Sequence, residues 1–219
     1  MRRLLDSARG RLGRPGDQRG FTLIELLMGI ILASVFAVAL YGFFFAGLDA
    51  FRTHESQARA QSTGRTALNQ VERDLRQSVS PDDGLAAPVI ALSPTSLEIY
   101  VDPQRSPTVT SPRPQKVRYA IVSNQLIRES ADPIGVTAPF SYGSYGRREV
   151  LIEQVQNAGI AAFAGVTNQG AALPATPAIT QLRDIAQVTV RLIASQKTGN
   201  TATTLELRSD VALRNANRL

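Results

Sequence analysis

The chain contains no cysteine, no tryptophan and a single histidine, His54. Without cysteine there is no disulfide, no cysteine-based zinc site and no Cys-His nucleophile. One histidine leaves little material for a Ser-His-Asp arrangement. His54 lies beside Arg52 and Glu55, just beyond a long apolar run, and reads as a solvated side chain. Carboxylates alone can be catalytic, but no pairing of them stands out by spacing. Neither an enzyme nor a cofactor or metal site is expected. Proline is absent between Pro15 and Pro81, so nothing over that span breaks a helix.

The formal net charge of +6 invites a nucleic-acid reading, but its distribution argues against one. The first 20 residues hold six arginines (Arg2, Arg3, Arg9, Arg11, Arg14 and Arg19) against Asp6 and Asp17, a net +4. The remaining 199 residues are nearly balanced at +2. The basic segment suits a cytoplasmic flank, since Lys and Arg beside a membrane span favour the inside.

Residues 26–48 read LLMGIILASVFAVALYGFFFAGL, without a formal charge. At 1.5 Å per residue this is about 35 Å of helix, enough to cross a hydrocarbon core of about 30 Å. Three readings compete. A secretory signal would be cut near Ala37-Val38-Ala39, and a signal anchor would stay whole. In the third reading the chain is cut before the apolar run. Glu25 decides among them. A carboxylate at bilayer depth costs roughly 2.5–3.5 kcal/mol on insertion scales, so its presence calls for a partner. Small residues recur every four positions at Gly29, Ala33 and Ala37, and again at Gly42, Ala46 and Ala50, spacing that permits close helix packing.

A basic leader ending in Gly20, followed by Phe21-Thr22-Leu23-Ile24-Glu25-Leu26, resembles the processing site of type IV prepilins and pseudopilins. The resemblance implies cleavage between Gly20 and Phe21 and N-methylation of Phe21. It further implies that the new amine pairs with Glu25 of a neighbouring subunit, so that Phe21 and Glu25 set assembly register. Major pilins usually carry a proline in this helix. Here Gly42 stands at that place, which leans toward a minor pilin or pseudopilin.

The helix is expected to continue past the membrane to about residue 80. Ala60, Gly64, Leu68, Val71, Leu75 and Val79 form one stripe, with Arg65, Asn69, Glu72, Arg73 and Arg76 on the other faces. Ser80-Pro81-Asp82-Asp83-Gly84 reads as its stop, and Asp82 with Asp83 falls far short of a calcium shell. Strands are expected over residues 95–102, 116–122, 125–128, 186–194 and 205–213, the second and third joined by a turn at Ser123-Asn124. The fold class is therefore α+β, a long N-terminal transmembrane and amphipathic helix packed on an antiparallel β-sheet, which the resemblance implies is pilin-like. The expected domains are a leader (1–20), a membrane or filament-core helix (21–48), its amphipathic outer half (49–80) and a β-rich head (81–219).

The stretch from Leu68 to Gln77, LNQVERDLRQ, resembles the outer helix of J-type pseudopilins of type II secretion and of larger minor pilins. The hairpin Val117-Arg118-Tyr119 to Leu126-Ile127-Arg128 and the ending Val211-Ala212-Leu213-Arg214-Asn215 are similar too. Residues 103–114 and 165–180 read as surface loops. Tyr142, Tyr145, Arg147 and Arg148 form an aromatic-basic cluster of the kind that stacks on bases and holds phosphate. The bland alternative is a glycine-rich turn whose tyrosines cover the domain.

These resemblances imply a minor pilin or pseudopilin in the inner or cytoplasmic membrane, with one span, a cytoplasmic N-terminus and a periplasmic or extracellular head. The implied partners are the prepilin peptidase, other pilins or pseudopilins, and an inner-membrane assembly platform, the chain serving in a hetero-oligomeric filament tip. Nucleic acid is not expected as a partner. The alternatives are a DNA-binding competence pilin using the Tyr/Arg cluster, and a signal-anchored surface domain unrelated to filaments.

Overall fold

A computed structural model describes residues 21–82, 86–103, 113–135, 137–198 and 201–213, with backbone alone for 196–198 and 201–203. The chain divides into two compact units at Ala50 and Phe51. Helix α1 (Leu23–Arg76) contributes to both.

In the first unit, residues 21–47 are all exposed although nearly all are apolar. The helix is long and apolar enough to cross a membrane, with mean hydropathy 2.6 over its most apolar window. The Ser34 hydroxyl donates to the carbonyl of Ile31 at 2.7 Å, which satisfies a polar group in the middle of the run. Tyr41 and Phe45, one turn apart, hold their rings 4.4 Å apart.

In the second unit, the outer half of α1 buries Gly64, Ala67, Val71, Asp74 and Leu75, spaced by three and four. Ala60 and Leu68, expected on the same stripe, are only half-buried. The helix ends at Arg76, short of the expected residue 80. The chain leaves it to pair with a strand: Ser78 bridges Val101, and the Val79 amide donates to Tyr100 at 3.0 Å. Ladder pairing thus satisfies backbone groups that a further helical turn would have used. Of the expected stop, Asp83 and Gly84 lie outside the described residues.

The strands build two principal sheets rather than the single one expected. The first has five strands: β1 (Val89–Leu92), β2 (Ser96–Val101), β3 (Gln115–Val122), β4 (Gln125–Ala131) and β7 (Arg147–Ile152), ordered β1-β2-β3-β4-β7. The second has β8 (Phe163–Thr167), β9 (Ile185–Thr198) and β10 (Thr201–Ala212), ordered β10-β9-β8. A short pair, β5 (Pro133–Ile134) and β6 (Ser141–Tyr142), stands between β4 and β7 in the chain. All these pairs are antiparallel. The β3–β4 turn is as expected: Ser123 and Asn124 have φ of 50° and 62°, which a two-residue hairpin of matching twist requires.

Residues 165–180 are not simply a loop, since β8 runs into them and a short helix, α2 (Ile179–Leu182), closes them. The proline-rich stretch expected as a loop falls largely outside the described residues. The two sheets share one core. Val71 and Leu75 of α1 join Leu97, Ile99, Val117 and Tyr119 from the first sheet with Val188, Val190, Leu192 and Val211 from the second. Gly64 lies against Leu207 of β10, where an added Cβ would meet the Leu207 side chain. That contact explains a glycine inside a helix, where it otherwise costs about 1 kcal/mol relative to alanine.

Candidate functional site

The helix start is built by Thr22 and Glu25. The Thr22 carbonyl accepts from the amides of Glu25 and Leu26, both at 3.1 Å. Its side-chain oxygen also accepts from the Glu25 amide at 3.3 Å, and its hydroxyl lies 3.5 Å from Glu25 Oε2. This is half of the capping box that a threonine and a glutamate three residues apart allow. The carboxylate sits in the first turn, where the partial positive charge of the helix N-terminus favours an anion. Glu25 thus has local work even without a neighbour. The spelling Thr-x-x-Glu could have signalled this, but the sequence reading passed over it. Glu25 remains exposed, as does Phe21 at 84%. Gly20 lies outside the described residues.

The model of the prokaryotic N-terminal methylation motif matches residues 16–41, which span Gly20, Phe21 and Glu25. The N-terminus carries a prokaryotic N-terminal methylation motif. No curated protein matches the chain. A chain in the crystal structure of the GspK-GspI-GspJ complex from the enterotoxigenic Escherichia coli Type 2 Secretion System is similar at 13% identity, with a TM-score of 0.42. The similarity covers 71% of this chain and 97% of that one.

Beyond the methylation motif, the head carries a polar cluster that the sequence reading missed. Asp74, on α1, is 3% exposed. Its Oδ2 accepts from the Tyr119 hydroxyl at 2.6 Å and from Arg128 Nε at 2.9 Å, while Gln70 donates to Oδ1 at 3.0 Å. Tyr119 and Arg128 are directly opposite each other on β3 and β4. Burial raises the Tyr119 pKa, and the adjacent Asp74 charge raises it further. For Arg128, burial pulls the pKa down and is outweighed by Asp74, leaving it above the usual arginine value. The cluster fixes α1 to the β3–β4 hairpin.

The four candidate nucleic-acid residues lie on one short segment, and both tyrosines are engaged with the domain. Tyr142 stacks on Tyr100 with ring centroids 5.4 Å apart and donates to the Pro114 carbonyl at 2.9 Å. Tyr145 donates to Glu98 at 2.8 Å and lies beneath Arg118 and Lys116, whose cationic centres are 4.8 and 5.3 Å from its ring centroid. Its segment therefore straps the outer face of β2 and β3, with both tyrosines engaged. Arg147 and Arg148 open β7, and as neighbours on one strand they point to opposite faces. Among the described residues no group of three His, Cys, Asp or Glu could hold a metal.

The strap makes the head sensitive to alkali. Burial, helped by the nearby Tyr100, pushes Tyr142 from 10.0 up to about 12. Burial and the bond to Glu98 raise Tyr145 as well. A tyrosine whose folded pKa is raised stabilises the fold fully below its unfolded value and loses that contribution as pH climbs through the folded one. Urea stability should hold steady up to about pH 10 and then fall toward pH 12. Tyr142→Phe and Tyr145→Phe should each reduce the alkaline loss. A wild-type denaturation midpoint unchanged between pH 8 and pH 11.5 would contradict this account.

Proposed function

We propose that the chain is a minor pilin or pseudopilin of a type IV pilus or type II secretion filament, made as a prepilin. Prepilin peptidase cuts between Gly20 and Phe21, and the new amine of Phe21 is methylated. Before assembly the helix anchors the protein once in the inner or cytoplasmic membrane, with the basic leader inside and the head outside. On assembly the apolar helix enters the filament core, where neighbouring helices cover what lipid covered before. The amine of one subunit then pairs with Glu25 of the next, relieving a charge that neither buries cheaply alone. The head works at the tip, priming or adapting the filament together with other pilins and an assembly platform. The observation that carries this reading is Glu25 on the first turn of an exposed apolar helix, inside a matched methylation motif.

Two measurements test it. Intact-mass analysis of membrane-extracted protein should give a chain beginning at N-methylated Phe21. An unprocessed Met1 chain in cells with active peptidase, or a start at Leu40, would refute the processing step. Glu25→Gln keeps a side chain able to complete the cap but removes the charge, whereas Glu25→Ala removes both. Each variant should insert in the membrane, since losing a charge eases insertion. Both should enter filaments poorly, and to the same degree. If Glu25→Gln incorporates like wild type while Glu25→Ala does not, the carboxylate serves as a helix cap and the amine pairing is wrong.

A further inference from the structure

Strand β7 closes one side of the five-stranded sheet and pairs only with β4, so its other edge is open. Open edges template the addition of another strand, and proteins blunt them with charge or cover. The charges on this edge are Arg147, Arg148 and Glu149, all exposed. Arg118, Arg128, Arg191 and Arg208, on β3, β4, β9 and β10, each pair with a carboxylate: Glu129, Asp74, Glu206 and Asp210. Among the described residues, Arg147 and Arg148 have no such partner. They are exposed at one end of β7. At the other end Val150 is 44% exposed and Ile152 is buried.

That second end leads into a groove of about 430 Å3 between α1 and the strands. Arg59, Ala60 and Thr63 of α1 line one side, residues 150–154 the other, and Ala194 and Ser195 of β9 close it. Ala60 and Thr63 leave room for a side chain that would meet Val150 and Ile152 beside the polar Arg59, Glu153 and Gln154. The edge thus begins with two arginines ahead of Glu149 and ends at a groove of mixed apolar and polar lining.

We propose that β7 is a docking edge for an extended segment of another protein. The segment adds to the sheet as a sixth strand, with carboxylates beside Arg147 and Arg148 and an apolar side chain in the groove. Backbone hydrogen bonds supply affinity, while the charge pair and the groove supply selectivity. A second copy of β7 fits poorly. Paired antiparallel about its centre, it would set Arg147 and Arg148 against Ile152 and Leu151. The proposal is independent of where the leader is cut, because every residue it uses lies in the head.

The test uses the full chain in detergent micelles and a fluorescein-labelled ten-residue peptide, with Asp-Glu at one end and alternating Val and Thr at the other. Controls are a scrambled peptide, decaglutamate and single-stranded oligothymidine. The Val/Thr peptide should bind with measurable anisotropy change, more tightly than any control. Affinity should drop about tenfold or more in Arg147→Glu/Arg148→Glu, as expected for an interface charge pair reversed. It should also drop in Thr63→Trp, which fills the groove from an exposed position. Circular dichroism should show both variants folded. Equal binding of decaglutamate, or an unchanged affinity in Thr63→Trp, would reduce the edge to a nonspecific anion site. Tighter binding of oligothymidine would replace the strand partner with nucleic acid, and no binding of the peptide would remove the docking edge.

Discussion

Asp74→Ala is expected to lower the stability of the head by about 3–5 kcal/mol, the usual cost of stranding one half of a buried ion pair. The loss arises from what remains. Arg128, with only 19% of its side chain exposed, would keep its charge with no carboxylate to meet it. The Tyr119 hydroxyl, on a residue with no exposed surface, would lose its acceptor. Removing only that hydroxyl, in Tyr119→Phe, should cost much less, about 0.5–1.5 kcal/mol, since the ion pair survives. Replacing both charges, in Asp74→Leu/Arg128→Met, should recover much of the loss, because a buried pair is rarely worth its desolvation. Urea denaturation of the wild type and the three variants gives the comparison. A loss below 1 kcal/mol in Asp74→Ala, together with no recovery in the double variant, would show that water reaches the cluster and that it does not fix the helix.

Leu75→Asp should unfold the head outright. The two substitutions concern neighbouring residues on the same helix and need opposite chemistry. Position 74 faces an arginine and a tyrosine. Position 75, with no exposed surface, belongs to the apolar core that both sheets share. No described cation stands ready to receive a carboxylate there, so the cost is that of an unpaired buried charge, several kcal/mol. A head fragment from about Thr53 onward, soluble once the apolar run is removed, is the material for the measurement. Wild type should melt cooperatively and Leu75→Asp should show no transition. Equal melting temperatures would mean that the helix does not pack where the structure puts it.

What was legible in the sequence follows from which interactions are local. The N-terminal methylation motif could be read because it is contiguous. The β3–β4 hairpin could be read because its turn lies between two alternating runs. Strands β9 and β10 could be read because Val188, Val190 and Leu192, and likewise Leu207, Ser209 and Val211, alternate with polar residues. Strand β7 was hidden by Arg147 and Arg148, which resemble the end of a loop when nothing shows that β4 lies alongside. Strand β8 was hidden by the small Ala164 and by Gly165, which Leu92 and Leu173 approach closely. The Asp74 cluster was the least visible. Its partners are 45 and 54 residues away, and a charged residue in a helical repeat looks solvated until the hairpin is placed against it. The second sheet was missed for a related reason: alternation shows that a strand has two faces but not which strand it pairs with.

The last turns of α1 are joined sideways to both sheets. Asp74 holds β3 and β4, the Ser209 hydroxyl of β10 donates to Glu72 at 2.5 Å, and Ser78 bridges β2. These attachments come from positions 72, 74 and 78 of one segment and reach β10, β3, β4 and β2. A pull transmitted along the helix axis would therefore load them together, in shear, and they would have to fail as a group. An attachment at a single point would peel. For a subunit that joins an assembly through its helix, the head is fastened to the part that bears the force, and its resistance to extraction comes from that parallel arrangement rather than from the strength of any one bond.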